Sequence, residues 1–72
     1  MKKLKKLFLD CQSRDWNVSI SWQRINGWSV EIYKGYKASY EVIFYTEGFT
    51  SEKHVIKKAL IFLKEINATN NN

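Results

Sequence analysis

Cys11 and His54 are the one thiol and the one imidazole of the chain. Together they form its single candidate nucleophile–base pair, the arrangement that acyl transfer through a thiolate needs. The spacing argues otherwise. Cys11 closes the series Leu4, Leu7, Phe8, Cys11 at i, i+3, i+4 and i+7, one face of a helix, where a cysteine behaves as a small buried apolar residue. His54 falls in the first turn of a second helical stretch, where it reads as solvated. A lone cysteine cannot make an intramolecular disulfide, and one Cys with one His cannot make a zinc site of ordinary spacing. No glycine-rich phosphate loop is present, and Glu31 and Glu41 read as ordinary solvated carboxylates. The expectation is a chain that is not an enzyme and uses no metal and no cofactor.

Two other residue sets suit binding. The first is basic. Lys2, Lys3, Lys5 and Lys6 lie near the start of the chain, and Lys53, Lys57 and Lys58 lie near its end. Residues 1–15 hold five basic against two acidic side chains, residues 16–50 three against three, and residues 51–72 four against two. The net charge of +5 therefore resides wholly in the two end segments, a distribution that favours encounter with anionic partners. The second set is aromatic and apolar. Tyr33, Ile43 and Tyr45, edged by Glu31, Glu41 and Ser29, fall on what should be the uncovered face of a sheet. Such a patch suits a protein partner or a second copy.

The elements that must position these sets follow from periodicity. Residues 2–12 carry the apolar stripe ending at Cys11, with the lysines on the other side, and predict a short amphipathic helix. Residues 16–24 alternate, with Trp16, Val18, Ile20 and Trp22 on one side and Asn17, Ser19, Ser21 and Gln23 on the other. That is a half-buried strand. Residues 28–34 repeat the pattern through Trp28, Val30 and Ile32, and residues 38–46 through Tyr40, Val42 and Phe44. For the buried sets to share a face, each hairpin loop must contain an odd number of residues. Ile25-Asn26-Gly27, with Gly27 left-handed, would pair Arg24 with Trp28, and Gly35-Tyr36-Lys37 would pair Lys34 with Ala38. Thr50 or Ser51 then caps a helix over 51–66, whose stripe is Val55, Ile56, Ala59, Leu60, Leu63 and Ile66.

The order is helix, three meandering strands, helix. It predicts a two-layer α+β domain over residues 1–66 with both helices on the tryptophan face, and a disordered tail over 67–72. With 72 residues, one small core is all the chain can bury. No apolar run approaches the ~20 residues of a membrane span. The apolar stretch Leu7-Phe8-Leu9 stops at Asp10, short of the ~7–15 residues of a secretory signal. A cytoplasmic protein with reduced Cys11 is expected, with no membrane partner. Strand one is an edge with a Ser-rich outer face and little to prevent pairing, so an edge strand or the open face offers a route to a homodimer.

The helix–three strands–helix order resembles the double-stranded RNA-binding domain. The stretch Gly48-Phe49-Thr50-Ser51-Glu52-Lys53-His54 through Ala59 is similar to the glycine, serine, lysine and alanine pattern of that family. Ser51, Lys53 and Ala59 match its helix-start serine, one phosphate-facing lysine and one packing alanine. Glu52 stands where that pattern has a lysine, Val55 where it has an alanine, and Ile56 where it has a second lysine. The run Tyr45 to Glu52, followed by Ala59 and Leu60, is also similar to the strand-to-helix corner of HicB-type antitoxins. In size and composition the chain resembles small accessory proteins of phages and prophages. That resemblance implies stoichiometric binding, and inhibition, of a host or phage protein that handles nucleic acid. The alternative expectation is direct RNA or DNA binding through the basic helices.

Overall fold

Every amphipathic element needs a surface on which to bury its stripe, and here all of them use the same one. The computed structural model describes residues 2–70. It contains α1 (Lys2–Ser13), β1 (Asn17–Gln23), β2 (Gly27–Lys34), β3 (Glu41–Phe49) and α2 (Glu52–Asn70), with a 3₁₀ turn at Lys37–Ser39. The strands form an antiparallel meander in the order β1-β2-β3, the α+β arrangement that the periodicities predict. Leu7 and Cys11 from α1, Val30 and Ile32 from β2, and Val55, Ile56, Ala59 and Leu63 from α2 make the core, each no more than 3% exposed. Burial contributes roughly 1.5–3 kcal/mol for each of the larger side chains. α2 lies over β2 and β3, while α1 lies beside α2 and over β1. The helices run in the same direction. Lys2 and Lys3 share a depression with Glu52 and Lys53 at one end, and Arg14 bonds Asn67 at the other.

The ends of α1 and α2 are closed by local chemistry. The Trp16 amide donates to the Cys11 carbonyl at 2.9 Å and the Asp15 amide to Gln12 at 3.0 Å. This is a Schellman end, with Asp15 in the left-handed position usually given to glycine (φ 61°). At α2 the cap is Ser51, whose hydroxyl accepts the His54 amide at 3.4 Å. The helix continues through Asn70, past the expected end at Ile66, so residues 67–70 are helical rather than a disordered tail. Arg14 holds Asn67 there. Asn71 and Asn72 lie outside the described residues.

The first hairpin keeps the expected parity throughout, and the second keeps it only in its middle and loses it toward both ends. In the first, Gln23 pairs with Gly27 around the three residues Arg24, Ile25 and Asn26, so Trp22 faces Trp28. The expected partner of Trp28 was Arg24. The ladder is displaced because Gly27, at φ 72°, closes the hairpin as a strand residue. In the second, the Ser39 hydroxyl donates to the Tyr36 carbonyl at 3.1 Å and builds the 3₁₀ turn, so β3 starts at Glu41 instead of Ala38. β3 then carries two irregularities. Ile32 faces Phe44 and Tyr33 faces Val42, which leaves Ile43 without a partner of its own. Val30 faces Thr46 and Trp28 faces Phe49, so Glu47 and Gly48 together oppose Ser29. Both are β-bulges.

Candidate binding surfaces

Strand alternation decides which side chains reach the face that neither helix covers. From β1 they are Asn17, Ser19 and Ser21. From β2 they are Ser29, Glu31 and Tyr33, which register opposite Ser21, Ser19 and Asn17. The bulge at Ile43 reassigns β3. Val42 registers with Tyr33 and Tyr45 with Glu31, so both stand on the open face, and Val42 is 46% exposed. Ile43 instead packs against the core, a correction to its expected place beside Tyr33 and Tyr45. Glu41 pairs with Lys34 at 3.8 Å, on the opposite side of the ladder from Val42, so it also leaves the expected patch. Tyr40, expected on the covered face, joins the patch: its ring lies 4.9 Å from that of Tyr33.

Carboxylates hold this aromatic cluster in place. The Tyr40 hydroxyl donates to Glu31, and the Tyr45 hydroxyl donates to Glu47 at 2.9 Å. The first bond, with lesser help from desolvation and the Glu31 charge, pushes the Tyr40 phenol up to about 12. The second raises Tyr45 in the same direction. Beneath them Ser29 is buried, its hydroxyl 2.9 Å from that of Ser21. The result is a face of Tyr33, Tyr40, Val42 and Tyr45 around Glu31 and Glu47. No lysine or arginine is among the side chains that the register places on it.

The helical layer has the opposite character. Lys3, Lys6, Lys57 and Lys64 line a groove between α1 and α2 whose floor is Leu60 and Ile61. Asp10 is the one carboxylate among the lining residues, and it is engaged by Arg14 at 2.9 Å. Lys2 and Lys53 stand at the end of the groove with Lys3 and Glu52. Lys5 sits on the outer flank of α1 beside Leu9. Lys58 sits on the other flank of α2 with His54 and Phe49. Of the seven expected lysines the fold therefore gathers Lys3, Lys6 and Lys57 most closely. It adds Lys64, which is not among those seven. Only the parallel packing of the helices brings it there.

The thiol–imidazole pair does not assemble. Cys11 is 1% exposed, and burial, with a smaller push from Asp10 and an opposing pull from Arg14, raises its pKa and suppresses the thiolate. His54 is exposed, with Nδ1 2.6 Å from the Ser51 hydroxyl. Among the described residues no three His, Cys, Asp or Glu side chains cluster as metal ligands. No described helix is long and apolar enough to cross a membrane. No family model, curated protein or solved structure matches this chain.

Proposed function

We propose that the chain is a non-catalytic binding protein whose uncovered sheet face docks a protein partner. The observation that carries this reading is the tyrosine–carboxylate cluster. Tyr33, Tyr40 and Tyr45 present broad amphipathic rings at low conformational cost, because Tyr40 and Tyr45 are pre-oriented by Glu31 and Glu47. The local negative charge, on a chain of net charge +5, selects a partner surface carrying lysines or arginines. A protein that handles nucleic acid has such a surface, which fits the action of a phage or mobile-element accessory protein on a host or phage machine. Replacing Tyr33 and Tyr45 by Ser should abolish capture of the partner from a host lysate, with the circular dichroism spectrum unchanged. Capture that survives in the folded double variant would remove the face from the reading.

One observation favours a second reading, direct binding of RNA or DNA. The interhelical groove lines up four lysines over an apolar floor, a geometry suited to a phosphate backbone.

A further inference from the structure

β1 and β3 are the two edges of the sheet, and they are not equally protected. β3 is broken by bulges at Ile43 and at Glu47–Gly48 and carries Glu41 and Glu47, devices that discourage strand addition. β1 has none of these. Its register with β2 is unbroken over all seven residues, Asn17–Gln23, and those residues include no charge, proline or glycine. Such a strand displays a regular row of unpaired backbone donors and acceptors. Beside it lies apolar surface that the fold leaves uncovered: Trp22 is 59% exposed and Phe8 is 40% exposed. Phe8 lies on the appropriate flank. Lys3, Lys6 and Asp10 line the α2 side of α1. At about 100° per residue Phe8 lies roughly 160–200° round the helix from Asp10 and Lys6, so it looks out past β1.

We infer that β1 pairs antiparallel with β1 of a second copy, making one continuous six-stranded sheet across a two-fold axis at Ile20. The strand complements itself in this register. Only an even sum of paired residue numbers keeps the helical layers of both copies on one side of the sheet. Centring on Ile20 is the register that engages the whole strand. Val18 then meets Trp22 of the second copy, Ser19 meets Ser21, Asn17 meets Gln23, and Ile20 meets itself. Apolar residues face apolar ones, hydroxyls face hydroxyls, and amides face amides, with no charge brought into the ladder. The two α1 helices become neighbours above it, and Phe8 of each closes over the pair. A seven-residue ladder is about 23 Å long and a twelve-residue helix about 18 Å. Those dimensions suit an interface of ordinary size. This pairing leaves the tyrosine face free and does not depend on it.

The test measures mass by sedimentation equilibrium from about 10 µM to about 1 mM, together with hydrogen exchange at both ends of the range. The expected result is a dimer in which alternate β1 amides gain protection with concentration while β3 amides do not. Ser19→Lys places a charge on the exposed side of β1, opposite Glu31 within its own sheet, so the fold is retained. It should weaken the dimer at least tenfold. Should that variant fail to fold, the wild-type exchange pattern decides alone. A monomer across the whole range, a dimer with unprotected β1 amides, or a folded Ser19→Lys variant that still dimerises would each overturn the proposal.

Discussion

At the residue scale the most informative side chain is Tyr40, because its hydroxyl is bonded to the same carboxylate that registers opposite Tyr45. Ionising the phenol would place a negative charge against Glu31, so the folded chain holds that proton more tightly than the unfolded chain does. The phenol is pushed up to about 12, and the hydrogen bond to Glu31 is the main cause. The sign of the linkage follows. The stabilisation is fully present below the ordinary tyrosine value, about 10, and is lost as the pH rises through about 12. Absorbance near 295 nm during alkaline titration should therefore show a late component. Glu31→Gln, which removes the charge, should return it to the ordinary range. A single transition near 10 in the wild-type chain would contradict the bond. Tyr40 also marks where periodicity misleads. Tyr40, Val42 and Phe44 alternate cleanly, yet the 3₁₀ turn and the bulge at Ile43 separate the first two from the third. Period two reports which residues alternate along a strand. It carries no record of an inserted residue, least of all where both faces are apolar enough to be buried.

The elements themselves were legible, because each has a period that only one conformation satisfies. Leu7 and Cys11, Val30 and Ile32, and Val55, Ile56, Ala59 and Leu63 are core residues for the reason that their spacing gives. Tertiary reach was less legible. Trp22 has the parity of a buried residue but is exposed because β1 is an edge overlain by α1 alone, and Phe62, outside the expected stripe, stacks on Phe44 at 4.5 Å. The turns separate two kinds of glycine requirement. Gly27 has φ 72°, and a Cβ there would meet the Phe49 carbonyl oxygen at 2.8 Å. Gly48 has φ 88° but open space around it. Both positions disfavour a side chain on conformational grounds, by about 1–2 kcal/mol, but only Gly27 adds a collision with backbone that cannot move without breaking the β2–β3 ladder. Gly27→Ala should therefore lower stability in urea unfolding by clearly more than Gly48→Ala. Equal losses would mean that the approach of Phe49 is not maintained in solution.

The whole molecule is polarised, with carboxylates among the tyrosines on the sheet and lysines along the helices, and this makes its two binding readings separable. Sequence arithmetic located the positive charge at the chain ends. It could not show that parallel packing of α1 and α2 would set Lys3 and Lys6 across a groove from Lys57 and Lys64. Each lysine that neutralises a phosphate releases condensed counterions, so affinity for a duplex falls with salt by a log–log slope of about 0.9 per contact. If the groove holds a backbone, retardation of RNA or DNA in a gel should weaken steeply as salt is raised. Lys6→Gln together with Lys57→Gln should lower affinity for all sequences alike and reduce the slope by about two. Tyr33→Ser with Tyr45→Ser should leave that binding unchanged, since those side chains lie on the other side of the sheet. Absence of retardation at low salt would dismiss the nucleic-acid reading and leave the lysines as a solvated surface. Loss of retardation in the tyrosine variant would instead place the nucleic acid on the sheet, where Glu31 and Glu47 would have to be overcome.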